Sequence, residues 1–266
     1  MADRRPRRGR GPAEADPPGT ALRRAALRLL DAVLRRGDPL DVAAHAAVQG
    51  LAPADRAFAI AIVSETLRWM VDIDALIDGA TEQVLPDDVK SRAVLRIALA
   101  QLLVLKTPPH AVVATALPLV VGGPRRLVHA LLSRAQQGEW ALPESANLPE
   151  AVAERWAAQW GDDIVATAAA AWSVPPPIDL SFASEPGDDE WVDAAKLAPR
   201  HRRLPRGQAV EAMPGYREGG WWVQDAAAAM PRRRRCRKAR RYASASSSTR
   251  RATASAPAIA SACRSP

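Results

Sequence analysis

RAVLRIALAQLLVLKTPPHAVVATALPLVV, residues 92–121, decides how the rest of the chain is read. Apolar residues dominate on both sides of a Pro108-Pro109 break. Proline cannot sit inside a helix but readily starts one, so the spacing predicts one helix over residues 87–105 and a second over 110–121. The longest apolar stretches, 97–105 and 111–121, fall short of the roughly 20 residues that a membrane helix needs, and no membrane span is expected.

The same pattern continues outward from this pair. In TALRRAALRLLDAVLRRG, residues 20–37, Leu22, Ala26, Leu29, Leu30 and Val33 recur at three and four residues. Thr20 is placed to cap that helix, and Gly37 stands where it should stop. Its opposite face carries Arg24, Arg28 and Arg35, as either a solvated face or one that binds phosphates. Further helices are expected over 41–49, in one or two segments between 54 and 77, and over 125–137. Gly50, Pro53, Pro86 and Gly122-Gly123-Pro124 punctuate them. Loops this short force helices onto their neighbours, which predicts a compact all-α domain of six or seven helices across residues 20–138.

Beyond it the pattern changes. Residues 150–160 and 163–172 still read as helices, with Trp156, Trp160 and Trp172 as apolar anchors alongside Trp69 in the first domain. In PPPIDLSFA the prolines forbid helix, and Ile178, Leu180 and Phe182 alternate with Asp179 and Ser181 in the period of a strand. A helix over 188–197, a strand at 208–213 and another within GGWWVQD, residues 219–225, would follow. Trp221 and Trp222 then point to opposite faces of that last strand. Residues 149–230 thus read as linker helices and the start of a small, incomplete α+β segment, and the fold class is mainly α.

Charge is unevenly spread. The net charge is +8, yet residues 231–266 hold ten Arg, one Lys and no acidic residue, so the first 230 residues carry 26 basic against 29 acidic side chains. The body is close to neutral. Residues 1–19, rich in Arg, Pro and Gly, are expected to be disordered, as is the tail. Both cysteines, Cys236 and Cys263, lie in that tail, which leaves the body without a thiol for a disulfide, a metal or a nucleophile. The histidines at 45, 110, 129 and 201 show no metal-ligand spacing. With no secretory signal at the N-terminus, the expected location is the cytoplasm.

The order of these blocks resembles bacterial 16S rRNA cytosine-C5 methyltransferases of the Fmu/Sun type, which join a NusB-like helical domain to a catalytic domain that uses S-adenosylmethionine (SAM). DRAFAIAIVSETLRWMVDIDALID, residues 55–78, is similar to the family's Asp-Arg, Leu-Arg and Ile-Asp landmarks. The stretch quoted first resembles its helix pair with a Pro-His-Ala entry, and RRLVHALLSRA resembles its closing helix, with His129 where the family usually has Asn. PPPIDLSFA and PGYREGGWWVQDAAAAM resemble the region that joins the two domains, although the first lacks the usual Arg and Asn after the leucine. The likeness covers residues 20–230 or so.

The resemblance implies a NusB-like bundle over 20–138, RNA and in particular 16S rRNA as partner, and a monomer. It also implies a downstream glycine-rich SAM loop and two cysteine motifs, because cytosine C6 must be attacked by a thiolate before C5 can take a methyl group. After Met230 the chain has no glycine, Asp or Glu. The expectation is therefore a chain truncated before the SAM-binding core, with no catalytic, cofactor-binding or metal-binding residue of its own. The tail is either a basic RNA-binding arm or out-of-frame translation of GC-rich DNA, and its onset where the catalytic core should begin favours the second. Expected RNA contacts are Arg23, Arg24, Arg28 and Arg35 on the first helix and Arg125 and Arg126 at a later helix start. Gln224 and Asp225 are placed by the resemblance at the edge of the substrate pocket, with Asp225 also a natural helix cap before AAAAM. The alternative function is a NusB-like factor in transcription antitermination, acting through RNA and a ribosomal-protein partner.

Overall fold

A computed structural model describes residues 16–187, 191, 193–204, 210 and 213–229. They divide into two compact units, one ending at Val174 and the other beginning at Pro175. The tail and nearly all of the N-terminal extension lie outside the described residues.

The first unit is helical throughout. Helices α1 (Thr20–Asp31), α2 (Leu40–Ala47), α3 (Pro53–Arg68), α4 (Met70–Gly79), α5 (Lys90–Leu99), α6 (Pro109–Ala116) and α7 (Gly123–Gln136) are followed by the pair α8 (Glu150–Trp160) and α9 (Asp162–Trp172). Helix α5 is the axis. Val94 through Gln101 are all buried, and α1, α3, α4, α6 and α7 pack around them. A helix apolar nearly all round has to sit in the middle of a bundle. Leu29, Leu30, Ile62, Ile73, Ile77, Leu95, Ile97, Leu99 and Leu132 fill the core, each such side chain contributing about 1.5–3 kcal/mol by leaving water.

Helix ends follow their punctuation, with adjustments. Helix α1 runs on through a π turn, Ala32–Arg36, and stops at Gly37, whose φ of 72° suits a residue without Cβ. Helix α5 likewise continues as a π turn, Ala100–Val104. Pro53, Pro109 and Pro124 each stand in the first turn of a helix, where the missing N–H costs nothing. Thr20 does not cap α1. The cap position belongs to Gly19, and the Thr20 hydroxyl, buried, donates to the Pro17 carbonyl at 2.7 Å.

The helical unit also extends past residue 138. Trp140 and Ala146 are buried in the core, and the buried carboxylate of Asp72 accepts the Asn147 backbone N–H at 3.0 Å and its side-chain amide at 2.5 Å. At the far end of the α8–α9 pair, Trp172 Nε1 donates to the Arg68 carbonyl while Arg68 Nε donates to the Trp172 carbonyl, at 2.9 and 2.8 Å. These bonds tie the linker helices to α3 and α4. Trp69 is buried as expected, but Trp160 and Trp172 are 55% and 50% exposed and do not act as core anchors. Neither α8 nor α9 buries a residue fully, so the pair is held mainly at its ends.

The second unit is a four-stranded antiparallel sheet ordered β2-β3-β1-β4, from β1 (Ile178–Phe182), β2 (Ala195–Ala198), β3 (His201–Leu204) and β4 (Trp221–Val223). Strands β1 and β4 fall where the alternation placed them. The expected helix over 188–197 is overturned in its described part: residues 195–198 pair with β3 across a turn in which Arg200 takes φ 60°. The expected strand at 208–213 lies largely outside the described residues, and Val210 and Met213 pack against the sheet without joining it. Strand β3 has no apolar alternation and was not expected. One face of the sheet holds Leu180, Phe182, Leu204 and Trp221, with Trp191 edge-on to Phe182 at 4.9 Å and to Trp221 at 5.7 Å. Gly215, at φ 83°, makes room there, since a Cβ on it would lie 2.9 Å from Trp221 Nε1.

Candidate nucleic-acid interface

The outer face of α1 carries an arginine stripe whose members are lightly held. Arg24 pairs with Asp16 at 2.5 Å and Arg35 with Asp31 at 3.4 Å, both pairs solvent-exposed, and Arg28 donates to the Ala47 carbonyl at 3.1 Å. Exposed pairs of this kind are worth about 0–1 kcal/mol, so a phosphate can replace the carboxylate at little cost.

Arg23 is not part of that stripe. It is buried, its Nε donates to Gln101 Oε1 at 2.9 Å, a terminal nitrogen donates to the Gly19 carbonyl at 3.3 Å, and its guanidinium carbon sits 5.2 Å from the Phe58 ring centre. Burial lowers its pKa, opposed by the charge of Asp55. The sequence expectation for Arg23 is thereby corrected: its guanidinium joins α1 to the π turn after α5 and is out of reach of an RNA backbone. The signal was present, because Arg23 lies in the same row as Ala26 and Leu30, three and seven residues on.

The second basic group is built by the start of α7. After the Leu117–Leu119 turn, Gly122 at φ 70° bends the chain into Gly123-Pro124, and Arg125 and Arg126 emerge exposed on the first turn. His129 follows three and four residues later, on the same face. Leu117, Gly122, Arg125, Arg126 and His129 line an open hollow of about 330 Å³, with no carboxylate among them. Among the described residues neither guanidinium has an ion-pair or side-chain hydrogen-bond partner. Helices α1 and α7 both pack against the Leu117–Leu119 turn.

Other charged residues that looked like family landmarks are structural. Arg92 and Arg96, four apart on α5, are buried, and meet Asp74 and Asp78, four apart on α4. Arg92 grips Asp78 with both terminal nitrogens, at 2.6 and 2.9 Å, and Arg96 grips Asp74 with its Nε and one terminal nitrogen, both at 2.7 Å. Asp87 closes the cluster from outside. Hydrogen bonding from Asp78 raises the Arg92 pKa above its ordinary value against the pull of burial. Burial likewise works to lower that of Arg96, and the bonds and charge of Asp74 outweigh it. Arg68 pairs with Glu65 at 3.0 Å, and Arg56 donates to the Leu51 carbonyl at 2.6 Å.

In the second unit the sheet face opposite the aromatic cluster is polar and mostly buried. Asp179 holds Arg203 with both oxygens, at 2.7 and 3.0 Å, and also accepts the Ala226 N–H at 3.2 Å. Arg203, foremost, keeps the Asp179 pKa below the usual carboxylate value. Ser181 sits 3.0 Å from His201 Nδ1 and donates to Gln224 Oε1 at 3.0 Å. Asp225 Oδ1 accepts the N–H groups of Ala227 and Ala228, at 2.7 and 3.1 Å, which is the capping geometry its sequence context suggested. Ser181 and His201 were not singled out by sequence. Ser181 read only as the polar phase of a strand, and the strand of His201 gave no signal.

Among the described residues no group of three or more His, Cys, Asp or Glu could hold a metal, and no helix is long and apolar enough to cross a membrane.

Comparison with known proteins places these elements. Residues 20–123 match the NusB family, a span that runs from α1 to the first residue of α7. The chain is 31% identical over 225 residues to a ribosomal RNA small subunit methyltransferase B from Xylella fastidiosa, covering 78% of this chain and 52% of that protein. It is 28% identical over 240 residues to a probable ribosomal RNA small subunit methyltransferase B from Synechocystis, covering 77% and 53%. It therefore spans about half the length of these curated relatives. Among solved structures, T. maritima NusB aligns with 48% of this chain and 96% of its own, at 21% identity and a TM-score of 0.41. A NusB-family segment over residues 20–123 and a likeness to ribosomal RNA small subunit methyltransferase B across most of the chain together support an RsmB-like protein.

Proposed function

We propose that this chain is the RNA-binding portion of a SAM-dependent 16S rRNA (cytosine-C5) methyltransferase of the bacterial cytoplasm, and that the 266 residues bind RNA without transferring methyl groups. The reading is carried by the hollow at the start of α7. On a NusB-family bundle it presents two guanidiniums that are unengaged among the described residues, with no carboxylate in its lining, which is the electrostatic form of a phosphate seat. Arg24, Arg28 and Arg35 on α1 add cations that exchange their partners readily. Guanidinium suits this task because its flat fork matches two phosphate oxygens at once.

SAM would be the donor in the whole enzyme, and the described residues do not fit it. Their sheet is antiparallel throughout, and the turn that leads from β4 into the helix beginning at Ala226 is Gln224-Asp225, without the glycines that let backbone approach a cofactor. No residue after Met230 supplies a glycine or a carboxylate either. Gln224 and Asp225 remain candidates for the edge of a substrate pocket, with Asp225 already engaged as a cap. A free-standing antitermination factor, the alternative, leaves unexplained why the likeness to methyltransferase relatives reaches over 78% of the chain.

The test combines binding and chemistry in one tube. The purified chain is titrated into small-subunit ribosomal RNA with labelled SAM present. Saturable RNA binding with no label on the RNA is expected. Label incorporated at a rate that scales with the chain, host enzyme excluded, would overturn the second half of the proposal, and absence of RNA binding the first.

A further inference from the structure

Trp222 and Gln224 stand two residues apart on one side of β4, which is an edge strand of its sheet. Trp221, between β1 and the aromatic cluster, is buried, whereas Trp222 is 36% exposed. An indole N–H can only donate, so the Gln224 atom 3.1 Å from Trp222 Nε1 must be the carbonyl oxygen. The same oxygen accepts the Ser181 hydroxyl at 3.0 Å. With that proton given to Gln224, the contact between Ser181 and His201 requires Nδ1–H on the imidazole. The chain of bonds thus runs from His201 to Ser181 to Gln224, and Trp222 meets it from the other side.

Two consequences follow for the groups at the end of this chain. The indole is pinned in one orientation by its N–H. The Gln224 carbonyl has both acceptor positions filled and its backbone N–H is held by the Asp179 carbonyl at 2.9 Å, so the side-chain NH2 is turned away from the network. Among the described residues that NH2 donates to nothing. An indole held by its N–H and an amide donor without a partner among the described residues lie side by side at a sheet edge. An apolar protein surface would fit poorly, because it would leave the donor unsatisfied.

We propose that Trp222 and Gln224 form a seat for one unpaired nucleobase, the indole offering a stacking surface and the amide donating to a carbonyl or ring nitrogen on the edge of the base. Ser181 and His201 are positioning residues that set the amide. The inference rests on the RNA-binding reading above and adds to it a contact with a base, where the arginines contact phosphates.

The test uses the full chain and two single strands of equal length and charge, oligocytidine and its abasic ribose-phosphate counterpart, so that phosphate contacts cancel in the ratio of affinities. The wild type should prefer the base-bearing strand by about tenfold, a typical size for one stacked base. W222A should abolish most of that preference, Q224A should reduce it about threefold or more, and W222F, which still stacks, should keep much of it. S181A, which leaves the ring and frees the amide, should fall in the direction of Q224A. Should W222A unfold the sheet, shown by loss of the aromatic circular dichroism, Q224A and W222F decide. Ratios in Q224A and W222A equal to the wild-type ratio, with binding intact, overturn this inference alone. A wild-type chain that binds neither strand at low salt overturns the RNA-binding reading with it.

Discussion

Replacing Asp78 with alanine should unfold the helical unit at a markedly lower temperature. Asp78 takes both terminal nitrogens of Arg92, at 2.6 and 2.9 Å, and the Arg92 side chain is only 5% exposed. Removing one partner of a buried pair costs about 3–5 kcal/mol, because the survivor is left charged and without water. Arg92 would keep Asp74 and Asp87, each 3.3 Å away, and the Leu85 carbonyl at 2.8 Å, which puts the expectation at the lower end, about 3 kcal/mol. For a unit of this size that is about 6–12 °C. The assay is thermal unfolding followed by helical circular dichroism, with D31A as the control. Asp31 pairs with Arg35 and Arg36 in solvent, and its loss should cost at most about 1 kcal/mol. Equal shifts for D78A and D31A would refute the claim that burial, and not pairing as such, gives the α4–α5 cluster its weight.

Three further outcomes are expected. G215A should destabilise the sheet unit by about 1–2 kcal/mol, since φ of 83° is costly with a Cβ and that Cβ would press on Trp221; tryptophan fluorescence in a urea titration reads it. The Asp179 carboxyl is depressed in the folded state, so its contribution is complete above the ordinary value of 3.8 and is lost as pH falls below it; acid unfolding seen by tryptophan fluorescence should begin below that pH, and in D179N the transition should lose that dependence. Deleting residues 231–266 removes eleven cations and should flatten the salt dependence of RNA binding; a slope the same as that of the whole chain would dismiss the tail as a contributor.

Much of the bundle was legible because helix packing writes itself into spacing. Leu22, Ala26, Leu29 and Leu30 mark an inward row, and prolines and glycines mark the ends. What spacing hides is the partner of a charged side chain. Arg92 and Arg96 sit four apart, as do Asp74 and Asp78, and that matched spacing on successive helices was the available clue to a buried cluster. Arg23 differs: its place in the row of Ala26 and Leu30 marked it as inward, and only its partner, Gln101 from 78 residues away, was hidden. The sheet was half legible. Strand β1 alternates and β4 pairs an inward with an outward tryptophan, but β2 and β3 are short and polar, and only their pairing makes them strands. Of the candidate site, Arg24, Arg28, Arg35, Arg125 and Arg126 are all exposed, and the hollow around the last two, which depends on Leu117 of the preceding turn meeting the start of α7, could not be read from the sequence.

The most direct test of the central claim is the slope of log affinity against log salt for ribosomal RNA, in the whole chain and in R125A/R126A. Each phosphate neutralised on a single strand contributes about 0.7 to that slope, so the double variant should be shallower by about 1.4. An unchanged slope would contradict a phosphate seat at the start of α7, and with it the assignment of RNA binding to the helical domain.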